Sequence, residues 1–471
     1  MKFGTSGLRG LVSDMTDPAC AAYVGAFLAH LGRSGSAPPA ILVGRDLRPS
    51  SPRIAAACRA AARRAGIAAI DCGALPTPAL ALEGAHRGLP AIMVTGSHIP
   101  FDRNGLKFYR ADGGEIAKAD EAGILAALES PLPAAETAAG ETFEGGARDR
   151  YVARATDFFP DRALSGRRIG VWQHSAAGRD LTPRILERLG AEVVVLAPSD
   201  SFVPVDTEAI SAEDAARARA WTEAHRLDAL ATTDGDGDRP LLADETGVWI
   251  RGDVLGVIAA TALGADAVAT PLSSNTALER SGRFQRVMRT RIGSPFVIAA
   301  METLAAEGAR RPVGYEANGG FLLGGAVEGP DGRRLAPLPT RDAMLPILAA
   351  LVAAAEANLP LSALLAQLPS RFTASDRLRE IPAERSGALL AALRDDPSAR
   401  ESFTVEAFDG AAIGSIDVTD GVRMRLAGDE IAHLRRSGNA PELRCYAEAG
   451  SAPRAAGLVA RALAAARRRL S

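Results

Sequence analysis

Lysine is nearly missing from this chain. Of 54 basic residues only three are lysine, Lys2, Lys107 and Lys118, and the rest are arginine. A chain so committed to arginine keeps lysine mainly where a permanently charged guanidinium will not serve, above all where a proton must move. Cysteine is scarce too. Cys20, Cys58, Cys72 and Cys445 form no CxxC pair, which excludes the common zinc and redox motifs and suits a reducing compartment. There is no basic excess: the formal charge is −2 and the pI about 6.4, so nucleic-acid binding has no electrostatic support. The arginines of Ala464-Ala465-Ala466-Arg467-Arg468-Arg469-Leu470 read instead as the cationic end of a helix. No apolar run reaches about 18 residues, because Glu356 and Asn358 interrupt the longest alanine- and leucine-rich stretch. The start, Met-Lys-Phe-Gly-Thr-Ser-Gly, lacks the apolar core of a signal peptide. A soluble cytoplasmic protein with no membrane partner is expected. Neither a Gly-x-Gly-x-x-Gly fingerprint nor a Walker A loop occurs, which argues against a nicotinamide enzyme or a P-loop kinase.

What is present is 47% apolar residues, enough for substantial cores, in a length that fits about three or four domains. A strand–helix pattern recurs three times. The first pass has strands at Ala40–Val43, Ile67–Ile70 and Ala91–Thr95, and a helix at Ser51–Ala65 capped by Ser50 or Ser51. The second has strands at Arg168–Trp172, Ala191–Leu196 and Leu227–Thr232, with a helix near Thr182–Leu189. The third has strands at Ala267–Thr270 and Val313–Gly314 and a helix near Phe296–Ala306. Such alternation implies parallel sheets with helices on both faces, and ligands at the carboxyl ends of the strands. From about Leu364 the pattern changes. Short strand-like runs at Phe403–Phe408, Gly414–Val418, Val422–Leu426, Ile431–Arg435 and Leu443–Ala447, then a helix at Ala452–Arg469, predict a smaller α+β domain. Ala134–Gly146 reads as a linker. The expected domains are 1–143, 144–247, 248–363 and 364–471.

The sharpest motif is Asp234-Gly235-Asp236-Gly237-Asp238-Arg239. Alternate aspartates in a glycine loop turn three carboxylates to one point, the oxygen shell a hard divalent cation wants. An EF-hand is the competitor, but Arg239 stands where its sharp turn needs glycine and Pro240 follows. Three carboxylates leave a magnesium site open to a phosphate oxygen. Thr95-Gly96-Ser97-His98 is no nucleophile elbow, and His98 is too close in sequence to reach the hydroxyl easily as a triad base, so a serine hydrolase is disfavoured. A serine carrying a phosphoryl group fits both loops, with His98 as a ligand contact. Lys107, ten residues on in a loop containing Asn104 and Gly105, is the nearby proton-transfer amine. Arg435-Arg436-Ser437-Gly438-Asn439 places arginines and a hydroxyl at a turn able to cradle phosphate. Glu316, Asn318 and Gly319, in Gly314-Tyr315-Glu316-Ala317-Asn318-Gly319-Gly320, offer a carboxylate and an amide to sugar hydroxyls.

Together with Phe3-Gly4-Thr5-Ser6-Gly7-Leu8-Arg9-Gly10 at the start, these motifs resemble, in order and along the whole chain, the α-D-phosphohexomutase family. The resemblance implies three related mixed-sheet α/β domains plus a smaller C-terminal α+β domain around one central cleft. It implies a phosphorylated Ser97, and magnesium (Mg2+) held by that phosphate with Asp234, Asp236 and Asp238. Lys107 becomes the acid/base group, and Arg9 and Arg239 support the phosphoryl site. Glu316 reads the sugar. Arg435, Ser437, Gly438 and Asn439, with Arg444, clamp the other phosphate. The implied reaction passes through a hexose 1,6-bisphosphate, with small hexose phosphates as substrates and a monomer or homodimer as the assembly. The chain departs from the family pattern in three loops. Tyr315, Asn318 and Gly320 replace a glycine, serine and histidine. Asn439 and Ala440 replace a threonine and glutamate. Thr290-Arg291-Ile292-Gly293-Ser294 ends in serine where Asp or His is usual. The amino-terminal run points to phosphomannomutase activity, with phosphoglucomutase, dual specificity and, further off, phosphoglucosamine mutase as alternatives. A metal-dependent phosphatase and a non-catalytic sugar-phosphate-binding protein are the readings from other classes.

Overall fold

The computed structural model describes the chain except for residues 5, 6, 36, 130–134, 136, 330, 438–440 and 471. Four main sheets follow one another along it. The first three are built by the same moves. The chain lays down one strand, adds a second in parallel on one side and a third in parallel on the other, then hairpins back antiparallel beside the third. In the first unit these strands are Ala40–Arg45, Ala68–Ala74, Ala91–Val94 and Arg103–Tyr109. In the second they are Arg168–His174, Glu192–Pro198, Ala229–Thr233 and Pro240–Ala243. In the third they are Ala267–Pro271, Arg286–Thr290, Pro312–Tyr315 and Phe321–Leu323.

The sheets are therefore mixed, not wholly parallel. The loops 95–102, 234–239 and 316–320 are too short for a crossover, which takes about a dozen residues, so each returns as a hairpin. All three lie at the carboxyl end of the third strand, and they hold Ser97, the aspartates and Glu316. The strand Arg286–Thr290, Arg-Val-Met-Arg-Thr, is too charged to stand out in the sequence, yet it completes the third repeat. Lys107 belongs to the returning strand Arg103–Tyr109 and not to a loop. Asn104 and Gly105 are tolerated there for specific reasons. The Asn104 amide donates to the hydroxyls of Ser50 and Ser51 at 2.8 and 2.9 Å. A side chain at 105 would meet the Leu8 carbonyl oxygen at 2.5 Å. Ser50 stands at the cap position of helix Ser51–Arg64, but no side-chain cap bond forms there. The Ser51 hydroxyl is likewise committed elsewhere, donating to Asp46 Oδ1.

The stretch read as a linker is partly sheet. Glu141–Phe143 pairs in parallel with Ala68–Ala74, and Ala134 lies outside the described residues. The fourth unit is an antiparallel sheet of five strands, Phe372–Leu378, Leu443–Ala449, Ile431–Arg436, Val422–Leu426 and Ile413–Asp417, packed on helices. Its first strand escaped the sequence reading. Phe403–Phe408, expected as a strand, is the end of helix Pro397–Phe408. Asp396 caps that helix by accepting from the Ser398 N–H at 2.8 Å, and Pro397 opens it. Phe403, Thr404, Ala407 and Phe408 are buried together, as a helical repeat requires.

Strand Ala40–Arg45 shows where the cores sit. Ile41 and Val43 face a cluster internal to the first unit. Ala40 and Leu42, on the other face, join a cluster that runs through all three α/β units as far as Leu368. The fourth unit has a core of its own, Leu378 to Leu470. It meets the third through polar contacts: Glu448, paired within the fourth unit to Arg371, accepts from the Thr276 N–H at 3.0 Å, and Asn275 donates to the Arg371 carbonyl at 2.9 Å. Among the described residues no helix is long and apolar enough to cross a membrane.

Two histidines are buried neutral. Burial depresses His174 and His433 to about 4 each, against hydrogen bonds from Nε2 to the carbonyls of Thr233 and Asp420. The unfolded chain takes up a proton near pH 6.5 and the folded one only near 4. The stability these two histidines contribute is thus full above about 6.5 and is lost as pH falls from there to about 4. Urea unfolding across that window should show the decline. His433→Gln should lower its slope by about one proton; an unchanged slope would remove His433 from the account.

Candidate active site

Ser97 is held in a strained conformation by a frame of non-local contacts. Its φ is +53°, in the left-handed region that serine seldom occupies. The Ser97 N–H donates to Thr95 Oγ1 at 2.8 Å, and that hydroxyl donates to Asp46 Oδ2 at 2.8 Å. Arg48 is fully buried and pairs with Asp46 at 3.2 Å. It donates to the carbonyls of Ser97, Ile99, Pro100 and Arg103 at 2.8, 2.5, 2.7 and 3.0 Å. Its guanidinium lies against Gly96, where a Cβ would come within 2.5 Å of the guanidinium carbon. The loop can run past Arg48 only because residue 96 is glycine. Asp46 and Arg48 are missing from the sequence reading because their partners lie about fifty positions on.

This frame leaves Ser97 1% exposed, with Oγ donating to Asp234 Oδ2 at 2.5 Å. Asp234, Asp236 and Asp238 are all fully buried and offer oxygens within 4.8 Å of one another. Burial, then Asp236 and Asp238, push Asp234 well above the usual carboxylate range. Asp238 goes the other way: burial would raise it, but Arg341, Lys107 and Arg239 together hold it low. Asp236 Oδ2 accepts from Lys107 Nζ and from Thr77 Oγ1, each at 2.6 Å. The Thr77 N–H also donates to the Asp236 carbonyl at 2.8 Å, tying the aspartate loop to the first unit. Lys107 Nζ reaches Asp238 Oδ2 at 2.5 Å. Burial would lower this lysine, but Asp236 and Asp238 raise it above its usual value.

The second oxygens of Asp236 and Asp238 are buried without a hydrogen-bond partner among the described residues. Two unsatisfied carboxylate oxygens beside a third carboxylate suit a hard divalent cation. The donor set therefore fits a metal site.

His98 does come within reach of the serine. Its Nδ1 lies 3.3 Å from Ser97 Oγ, contrary to the expectation from sequence. It is still a poor base. Burial, then Arg239 and Arg9, depress it to about 2, and the same Nδ1 accepts from Arg239 Nη1 at 2.9 Å. Arg9 is depressed to about 10 by burial and then by Arg239 and Arg341, so it is cationic near neutrality. Glu316 Oε2 pairs with Arg341 Nη1 at 3.3 Å. Gly319 has φ +89° and donates to the Glu316 carbonyl at 2.9 Å, which closes the turn. The Asn318 side chain turns inward on its own loop and accepts from the Gly320 N–H at 3.0 Å.

Ser97, His98, Lys107, Arg9, Arg239, the three aspartates and Glu316 thus form one connected cluster. Arg444 reaches it across a cavity of about 180 Å³ lined also by His98, Glu208, Arg239 and Tyr446. Arg435 and Ser437 line a different and larger opening, about 560 Å³, with Arg291 and Lys118. Arg435 pairs with Asp420 at 3.1 Å. Gly438 and Asn439 lie outside the described residues. Sequence reading missed Arg341, Thr77 and Glu115 as well as the Asp46–Arg48 pair. Glu115 follows the turn Asp112-Gly113-Gly114, a signal that was passed over; the others sit in no loop rich in glycine, so no local signal marks them.

A buried serine, a lysine and a carboxylate cation site on three repeated α/β units describe an enzyme of phosphoryl transfer. Models of the phosphoglucomutase/phosphomannomutase α/β/α domains I, II and III match residues 1–133, 149–247 and 251–372 in turn, and the chain belongs to that family, making it an isomerase. It is 46% identical to a phosphomannomutase of Sinorhizobium fredii over 98% of both chains. It is 47% identical to a phosphomannomutase of Salmonella muenchen over 98% of this chain and 94% of that one. A phosphoglucomutase/phosphomannomutase family protein from Burkholderia thailandensis has a solved structure with a TM-score of 0.77, spanning 98% of this chain and 97% of its own; at 21% identity this is a likeness of fold.

Removing Arg48 should leave Asp46 an uncompensated buried charge and four carbonyls without their donor. Arg48→Met is expected to lower the unfolding free energy by about 3–5 kcal/mol, read by urea titration. A loss below about 1 kcal/mol would show that the frame does not depend on this pair.

Proposed function

We propose that the chain is a phosphomannomutase that interconverts mannose 6-phosphate and mannose 1-phosphate. Its near full-length identity of 46–47% to two phosphomannomutases supports the sugar. The observation that carries the chemistry is Lys107 Nζ, 2.6 and 2.5 Å from two of three clustered aspartates, the third of which holds the Ser97 hydroxyl. Ser97 is the group that carries the phosphoryl and exchanges it with the sugar, so a hexose 1,6-bisphosphate is the intermediate and the activator. Asp234, Asp236 and Asp238 are the residues that would hold Mg2+. Bound there, it would supply charge neutralisation for a transferring phosphoryl group. Lys107 starts protonated, since Asp236 and Asp238 hold it high. It gives that proton to the oxygen leaving phosphorus and recovers one from the attacking hydroxyl.

Arg239 and Arg9 bring cationic charge to the phosphoryl oxygens, and His98, kept neutral, orients against Arg239. Glu316 binds sugar hydroxyls, with Asn318 and Gly319 shaping its loop. Arg435, Ser437, Gly438 and Asn439, with Arg444, take the phosphate that is not reacting. We read four domains, 1–143, 144–247, 248–363 and 364–471; each main sheet falls within one of them. Burial of Ser97 favours transfer to a sugar over hydrolysis, because water is kept from the acceptor position. Small hexose phosphates in the cytoplasm are the substrates, for a monomer or homodimer.

A coupled assay with mannose 1-phosphate and glucose 1-phosphate, in Mg2+ and bisphosphate, tests the reading. Turnover of the mannose ester is expected to be the more efficient. Preference for glucose, or release of inorganic phosphate in place of the isomer, would replace it with a phosphoglucomutase or a phosphatase. Ser97→Ala should abolish turnover with the fold intact, and intact-mass spectrometry should find phosphate on the wild type after incubation with bisphosphate. Lys107→Arg keeps the charge but cannot give up a proton near neutrality. It should lose about 10²–10⁴-fold in kcat; a loss of only a few-fold would make Lys107 a plain cation.

A further inference from the structure

Arg341 lies in none of the site loops, yet it is 3% exposed at the centre of the cluster. It sits near the end of strand Leu338–Asp342, at the edge of the third sheet. Its Nη2 is 2.8 Å from Asp238 Oδ2 and 3.2 Å from Glu115 Oε1, and its Nη1 is 3.3 Å from Glu316 Oε2. Those three carboxylates come from the second, first and third units. The guanidinium shares Asp238 Oδ2 with Lys107 Nζ. A planar fork with fixed donor directions sets the relative placing of groups on its two arms, which an ammonium cannot do.

The stem of Arg341 is as constrained as its head. It runs along Gly320, where a Cβ would stand 2.6 Å from Arg341 Cδ and 2.8 Å from Cγ. Gly320 is itself pinned: its carbonyl accepts from the Glu316 N–H at 3.1 Å and its N–H donates to Asn318 Oδ1 at 3.0 Å. The loop of Glu316 therefore grips the stem of the arginine whose head holds Asp238. Gly320 has no positive φ, so its backbone tolerates a side chain. The close approach of Arg341, and not the backbone, is what requires glycine.

We propose that Arg341 is a positioning residue for the transfer, holding Glu316 and Asp238 in one frame so that the sugar and the cation site are registered to each other. The inference rests on Glu316 as the sugar-binding carboxylate. It makes Gly320 the partner residue of Arg341.

Two perturbations test it. Arg341→Met removes the fork, and Gly320→Ala displaces it while keeping every charge. Each should raise KM for mannose 1-phosphate and lower kcat, together by at least about fivefold in kcat/KM, and the double variant should be no worse than the poorer single. Arg341→Lys should rescue little. Mn2+ binding, followed by electron paramagnetic resonance without substrate, is the second readout. Loss of a competing cation at Asp238 should tighten it at least about twofold in Arg341→Met and in Gly320→Ala. A site that had merely collapsed would bind Mn2+ more weakly. Additive losses, wild-type constants in both single variants, or unchanged or weaker Mn2+ binding would each overturn the proposal. If the wild type turns over no hexose phosphate, the functional reading fails separately, and the Mn2+ arm still decides whether Arg341 holds Asp238.

Discussion

Everything in the site is arranged around one expensive act, the removal from water of three aspartates that lie within 4.8 Å of one another. Three like charges so close and so dry repel strongly. The fold answers with cations drawn from elsewhere in the chain. Lys107 comes from the first unit and Arg341 from the third, and Arg239 follows the aspartates directly. The balance is uneven by design of position. Asp238 faces most of this charge and stays ionised, whereas Asp234, further from it, is pushed up and holds the serine hydroxyl. The difference between neighbouring aspartates therefore comes from what each faces across the cleft.

How far the sequence reveals this depends on distance along the chain. Asp-Gly-Asp-Gly-Asp-Arg is legible because its carboxylates converge within one turn. Ser97 is legible because Gly96 and its flanking strand are local. Lys107 stands out for another reason, the scarcity of lysine, and that clue holds even though the residue lies on a strand and not in the expected loop. Arg48, Thr77 and Arg341 leave no such trace. One arginine among many looks like any other until the chain folds and brings Arg48 to the carbonyls of residues 97 to 103. The errors in secondary structure have the same origin. Phe403–Phe408 alternates like a strand, and only Asp396 and Pro397, outside the run, commit it to a helix. The triple repeat is plainer in the fold than in the sequence because order and direction of strands persist where residues such as those of Arg286–Thr290 do not look the part.

The fourth unit shows how the same chain handles a different requirement. Among the described residues its sheet and helices, from Phe372 on, share no apolar cluster with the other three, and it touches the third through Glu448, Arg371, Asn275 and Thr276. Polar contacts of this kind can exchange for water at small net cost. The buried charges of the cluster, by contrast, lie on units locked together by a continuous apolar interior, where relative motion would open voids. Registration of charges and freedom of movement are thus assigned to different parts of the molecule.

That continuous interior also bears on how the chain reaches its folded state on the ribosome. Ile41 and Val43 can find their partners within the first unit, but Ala40 and Leu42, one residue away on the other face, belong to a cluster completed only by residues up to Leu368. Helix Thr77–Arg87 covers that second face from within the first unit, and it is the outer side of this helix that waits for helix Gly146–Phe158 and strand Leu338–Asp342 to complete the cluster. The borders of the repeats are borders of topology and not of cooperative folding. A fragment cut at such a border would carry an intact motif, with a sticky face where its neighbour should be.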